Sequence, residues 1–266
     1  MSSTVSIAKA FHTARRKARP LSGFPGDLPT GLAEAYAIQE ESISLWPDAI
    51  AGWKVAAIHP DLRAELKSER MSGPAFSQSV IQVKPGEIGE IAVIPGGFIA
   101  VETEIGIVLN EDIEPRTTPW TMPDLLPLIA GVHLAMEIAG SPLPTINDIG
   151  PWAIVSDFGN NSGIAVGAAI EGWDKGALDD LKTEMRIEGQ TIGLGRAVGA
   201  NGGPLDAFLF LVNHLASRNR GLKKGDVISA GATTGVHPIE IGQVAEAICD
   251  GCLPLAVRVT GRAASD

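Results

Sequence analysis

The sequence predicts an α+β fold built around a large curled sheet, and three observations carry that prediction. The first third of the chain reads helical, the stretch from Gly73 onward has mainly the texture of strand, and the two kinds of segment do not alternate regularly. A doubly wound parallel sheet needs regular alternation, so that architecture is disfavoured. With 266 residues, 45% of them hydrophobic, and 31 Gly and 18 Pro to make turns, the chain can bury a substantial core and is not a disordered sequence.

Taken in order, Ile7, Ala10, Phe11, Ala14 and Ala18 recur at helical spacing, and Pro20 with Gly23 stops this first amphipathic helix. The same stretch is free of acids as far as Asp27 and carries Lys9, Arg15, Arg16, Lys17 and Arg19. A transit peptide has that composition too, but a plain helix explains it equally well and is the reading adopted. Thr30 is expected to cap a second helix through Leu32, Tyr36, Ile38, Gln39 and Ile43 that ends at Trp46-Pro47. A short strand over 50–57 follows, and Pro60 opens a shorter helix through Leu62 and Leu66.

From Gly73, apolar β-branched runs are separated by Pro85-Gly86, Pro95-Gly96-Gly97 and Gly189, which reads as strand and turn. Two helices interrupt them. One is short and opens at Pro123; the other starts at Pro204 and gathers Leu205, Phe208, Leu209, Val212, Leu215 and Ala216 into one stripe. The change of texture divides the chain into a helical lobe over 1–72, which contributes the strand carrying Lys54, and a β-rich domain over 73–266.

Composition narrows the function. A net charge of -10 repels nucleic-acid phosphates and anionic lipid heads, and no apolar run reaches the ~20 residues of a membrane-spanning helix. A soluble protein that binds neither nucleic acid nor membrane is therefore expected. Cys249 and Cys252 cannot make a disulfide framework, which fits a reducing cytoplasm; without a second pair or a following helix start, their spacing indicates neither a zinc nor a redox site. Gly193 to Gly199 has one residue too many for a dinucleotide fingerprint, and His12, His59, His214 and His237 lie too far apart in sequence to indicate a histidine metal site.

The informative stretch is Phe98 to Leu109, which alternates throughout. Strand parity puts Ile99, Val101, Thr103, Ile105, Ile107 and Leu109 on one face, which must be core. Glu102 and Glu104 then share the other face with small and apolar neighbours. Two like charges that close call for something positive between them. In Val132 to Ala139 the same parity sets Val132, Leu134, Met136 and Ile138 against His133, Ala135 and Glu137. Glu137 joined to the pair makes three carboxylates, an all-oxygen donor set suited to Mg²⁺ or Mn²⁺. Lys54 projects between Gly52 and Ala56 while Trp53 and Val55 face the core, leaving its ammonium room to bind an anion, or to move protons if burial lowers its pKa. Asp157 and Ser162 lie in a loop before a strand, and Thr234 lies in another, places where site residues concentrate.

Gly52-Trp53-Lys54-Val55, Val101-Glu102-Thr103-Glu104-Ile105, Ala135-Met136-Glu137-Ile138, the Ser156-Asp157 loop, Asn201-Gly202-Gly203-Pro204 and Gly225 to Gly231 together resemble the 2-keto-4-pentenoate hydratase/4-oxalocrotonate decarboxylase group of the fumarylacetoacetate hydrolase superfamily. The similarity runs from about Leu32 to Val259. It implies a mixed β-roll core with an N-terminal helical lobe, a homo-oligomer, and Mg²⁺ or Mn²⁺ held by Glu102, Glu104 and Glu137. It also implies a small 2-oxo or 2-hydroxydienoate acid as substrate, with Lys54 and Asp157 catalytic and Ser162 and Thr234 facing the substrate. Hydration is the activity expected first. Decarboxylation, acylpyruvate hydrolysis and 2-oxo-acid binding without turnover are the alternatives. The chain departs from the group's pattern at Ala75, where hydratases commonly carry an acid, and at Phe158, where an Asn is usual.

Overall fold

The computed structural model describes residues 3–178, 180–198 and 202–264. Its N-terminal part is helical, with α1 (Ser3–Arg16) and α2 (Leu32–Leu45), then strand β1 (Ile50–Ala57), α3 (Pro60–Leu66) and β2 (Arg70–Phe76). Strands β3 (Val80–Gln82), β4 (Ile88–Val93) and β5 (Phe98–Leu109) follow. The four-residue α4 (Met122–Leu125) precedes β6 (Ile129–Ser141), and α5 (Ile146–Ile149) and α6 (Pro151–Ser156) lead to β7 (Asn161–Ala169). After β8 (Lys182–Ile187) and β9 (Gln190–Arg196) come α7 (Gly203–Ser217) and strands β10 (Val227–Ser229), β11 (His237–Pro238), β12 (Val244–Cys249) and β13 (Leu255–Gly261).

The strands form two mixed sheets, the α+β architecture expected. One runs β2-β1-β10-β5-β6-β7-β3, with β11 added to β5; the other runs β4-β13-β12-β8-β9. β1 pairs parallel with β10 and β3 with β7, whereas β5, β6 and β7 are antiparallel neighbours. The core face of β5 is the one that alternation indicates: Val101, Ile105, Ile107 and Leu109 are buried, beside Leu134, Met136 and Ile138 of β6. Against them pack Ala245, Ala247, Val257 and Val259 of the second sheet and Phe208 and Leu211 of α7. The helical lobe has its own core, where Ile7 and Phe11 meet Ile38, Leu143 and Ile146.

Local details differ from expectation for identifiable reasons. Thr30 is not the cap of α2: Gly31 holds that position, and the Thr30 N–H and hydroxyl both donate to Glu34, at 2.9 and 3.1 Å. β6 begins at Ile129, ahead of the alternating stretch read from Val132, because Leu109 of β5 continues the ladder with Ile129 through a bulge. β2 begins at Arg70 and runs across the expected lobe boundary, and β1 lies inside the larger sheet. Asn201 and Gly199 lie outside the described residues. No described helix is long and apolar enough to cross a membrane.

Candidate metal centre

Strand register assembles the site. Glu102 of β5 stands directly opposite Glu137 of β6, and Glu104 lies two residues along the same face of β5. Each residue offers one carboxylate oxygen to a cluster whose ligand atoms all lie within 4.8 Å of one another. All three side chains are buried, Glu104 and Glu137 completely. Lys54 reaches the cluster from β1, its Nζ 3.3 Å from Glu137 Oε2.

Surrounding donors fix the carboxylates. Ser229 Oγ and the Gly231 N–H both donate to Glu104 Oε2, and Asn161 Nδ2 donates to Glu137 Oε1 at 2.9 Å. Each bond holds one oxygen and leaves the other free: Glu104 Oε1 and Glu137 Oε2 are buried without a hydrogen bond, the latter having only the ion-pair contact to Lys54. Two orphaned carboxylate oxygens beside a third buried carboxylate, against one ammonium, leave negative charge uncompensated. A hard divalent cation fits that vacancy in charge and donor chemistry, and the hydrogen bonds behind the ligands are of the kind that orient a metal's ligands.

The electrostatics say the same. Burial and the charge of Glu137 push the Glu102 carboxyl up to about 8, with Lys54 pulling the other way. Glu104 is raised well above the usual carboxylate range by burial and by its two acidic neighbours. Lys54 corrects one expectation: burial does work against its charge, but Glu137, Glu102 and Glu104 outweigh burial and raise its pKa, so it is a held cation and not a lowered-pKa base.

A cavity of about 540 Å³ opens over Glu102 and Lys54, and Arg70, Asn147, Asn160 and Gly231 line it further out. The turn that forms one wall takes three successive left-handed residues, Phe158, Gly159 and Asn160, with φ of 55, 68 and 62°. It packs closely on β2: a Cβ on Gly73 would sit 2.1 Å from the Phe158 carbonyl oxygen, so only glycine serves there.

The remaining candidates are placed differently. Asp157 is fully buried in a bidentate ion pair, Arg15 Nε and Nη2 donating to its two oxygens at 2.6 and 2.9 Å, and Ser141 Oγ donating at 2.5 Å. It does not line the cavity. Ser162 lines a different cavity, and Thr234 accepts from His237 in a loop whose neighbours Ala232 and Val236 reach the site cavity. Ala75, where an acid is usual, packs among Ile164, Val166 and Val227. Sequence reading missed Arg15, Arg70, Asn160, Asn161 and Ser229. Asn160 and Asn161 sat in a loop already singled out, and Ser229 in one of the motifs; the Arg15 partner lies 142 positions away, and no local signal points to it.

Fold and site define an α+β protein of two mixed sheets whose buried trio of carboxylates could hold a metal ion. No protein-family profile matches the chain. It is 28% identical over 220 residues, 81% of its length and 79% of the relative's, to the TodF product hydratase of Pseudomonas putida. In structure it resembles the 4-oxalocrotonate decarboxylase of Pseudomonas putida G7 complexed with magnesium and adipate, with a TM-score of 0.78 at 19% identity, covering 96% of this chain and 97% of that one. It resembles more distantly the fumarylpyruvate hydrolase of Pseudomonas aeruginosa in complex with Mn²⁺ and pyruvate, with a TM-score of 0.57 at 15% identity over 79% of this chain and 89% of that one. The similarity to a hydratase in sequence and to a decarboxylase in structure agrees with the family resemblance carried by the sequence motifs.

Proposed function

We propose that the protein is a divalent-metal-dependent lyase that adds water to a 2-hydroxydienoate in its 2-oxo-enoate form. The observation that carries this reading is the buried triad with two unpartnered oxygens beside a lysine ammonium. Glu102, Glu104 and Glu137 would hold Mg²⁺ or Mn²⁺. Bound there, the ion supplies Lewis-acid charge to the oxygens of a 2-oxo acid and so favours enolisation.

The chain's own residues do the rest. Lys54 holds its protons at Nζ and binds the substrate carboxylate, orienting it over Glu102. Asn160, buried at the cavity wall with its Oδ1 unpartnered, offers that oxygen to a substrate or water proton. Asp157 is assigned a positioning part: it fixes Arg15, whose Nη1 donates to the Asn161 carbonyl, and Asn161 in turn holds Glu137. Ser162 lies in β7 and not in the loop expected before it, and lines a different cavity, while Thr234 sits in the loop between Ala232 and Val236, so neither is given a substrate contact.

Decarboxylation is the second reading, and Ala75 favours it. With alanine there, β2 supplies no acid to activate water, a group that loss of CO₂ does not require. Incubating the protein with Mg²⁺ and 2-hydroxydienoates, oxalocrotonate and acylpyruvates, then identifying the products, decides among hydration, decarboxylation and C–C hydrolysis. Full activity of the metal-free protein overturns the lyase reading, and micromolar binding with no turnover makes the protein a 2-oxo-acid binder. A homo-oligomer belongs to the same reading; a sedimenting species no heavier than the 27.7 kDa chain at all concentrations contradicts it.

A further inference from the structure

The Phe158–Asn160 turn is a wall shared by two cavities. Gly159 and Asn160 line the one over the metal centre, whereas Phe158, Asn161 and Ser162 line a second, of about 260 Å³, that none of Lys54, Glu102 or Arg70 reaches. Three guanidinium groups, from Arg15, Arg16 and Arg262, border this second cavity. Asp157 behind the lining is engaged, and Asp48 on it is held by neutral donors. Arg15 takes both oxygens of Asp157, and Asp48 on the lining accepts from Ser77 Oγ at 2.5 Å and from the Gln78 N–H at 2.9 Å.

Arg262 is the unusual member. Its backbone is anchored, its N–H donating to the Val93 carbonyl at 2.8 Å, and its guanidinium lies 6.0 Å from the Trp46 ring. Among the described residues that guanidinium has no carboxylate within ion-pair range and donates no hydrogen bond, although it is partly buried. Burial and the neighbouring Arg15 both lower its pKa, as for a cation short of counter-charge. Opposite it, Trp46, Phe76 and Phe158 form an aromatic wall, with ring centroids 4.9 to 5.6 Å apart. A cation short of an anion and facing aromatic rings recognises a carboxylate on a flat apolar body. The volume lies below the roughly 300–1,000 Å³ of drug-sized sites, so the ligand is small.

We propose that this cavity binds a small aromatic or conjugated monocarboxylate, at a site distinct from the metal centre. Arg262 and Arg16 take the carboxylate, and Trp46 and Phe158 take the ring. Benzoate is the probe, titrated calorimetrically into the full chain in the presence of a chelator, so that no metal contributes. Wild-type protein should bind it and Arg262→Gln at least tenfold more weakly. Arg262→Lys should retain an intermediate affinity, and Glu137→Gln should bind as wild type. Benzoate should also quench tryptophan fluorescence in the wild type but not in Trp46→Phe, a readout that stands even where one Arg262 variant folds poorly. Absence of binding, equal affinity in Arg262→Gln, or a loss that follows Glu137→Gln overturns the proposal. Inorganic phosphate binding as tightly as benzoate overturns the aromatic part of it.

Discussion

Glu102 and Glu137 are directly opposed across an antiparallel ladder, where like charges destabilise, and Glu104 adds a third carboxylate to the same buried face. Without a metal, protonation relieves the crowding, as the raised Glu102 and Glu104 carboxyls indicate; with all three ionised, a divalent cation would do so. Glu137→Gln should therefore weaken Mg²⁺ or Mn²⁺ binding at least tenfold by calorimetry; undiminished binding would remove the three-carboxylate site. Asn161→Ala, which leaves all three ligands but frees Glu137 Oε1, should lower metal affinity by about 10- to 100-fold. Asp157 behaves in the opposite way. Asp157→Asn breaks a buried ion pair and should cost about 3–5 kcal/mol in chemical denaturation, leaving metal affinity much closer to wild type than the Glu137 variant does. The three glutamates and Lys54 were legible in the sequence because strand parity converts spacing into faces. Arg15 was not, since its charge read as the solvated side of an amphipathic helix and its partner is brought to it only by tertiary packing.

At the scale of elements, β1, α3 and β5 begin and end where alternation, proline and helical spacing place them, because those signals are local. What sequence pattern could not give was the pairing: β10 is three residues long and β11 only two, too short to show a period, yet β10 joins β1 to β5 and so brings Lys54 and Ser229 to the glutamates. The turn over 158–160 is equally non-local, since its left-handed backbone is held by contact with β2. Gly159 carries the consequence. A Cβ there would lie 2.9 Å from the Gly73 Cα and 3.1 Å from Lys54 Cδ, on a backbone that side chains rarely adopt. Gly159→Ala should destabilise the protein by about 1–3 kcal/mol and lower kcat by displacing Lys54, with metal affinity changed far less. Equal losses in turnover and metal binding would show that the turn supports the carboxylates and not the lysine.

For the whole molecule, the join between the helical lobe and the sheet is carried in part by α2 against α7. His214 of α7 packs with its ring centroid 4.6 Å from that of Tyr36 and 5.3 Å from that of Phe210, and Arg218 Nη1 lies 3.3 Å from its Nε2. Among the described residues, Glu40 is the one acid facing this cluster, and it is occupied by Arg218 and Arg220. Burial, and then the Arg218 charge, lower the His214 pKa to about 4, against the partial pull of Glu40. Between that value and the ordinary 6.5 the unfolded chain binds the proton and the folded one does not, so this contribution to stability is complete above 6.5 and is lost as the pH falls towards 4. Its size is roughly 1–3 kcal/mol, the upper figure set by 1.36 kcal/mol per pKa unit and the lower by the partial exposure of the ring. Asp226 has the opposite sign: burial raises it to about 6, and its stabilisation, full below its ordinary value, fades as the pH rises through 6. A single pH profile therefore mixes the two, and a difference between proteins separates them. Measured by denaturation with chelator present, wild type should lose more stability than His214→Gln between pH 7.5 and 4.5, because glutamine can still accept from Arg218 but takes up no proton. Parallel profiles for the two proteins would mean that the lobe is held by contacts indifferent to the charge of His214.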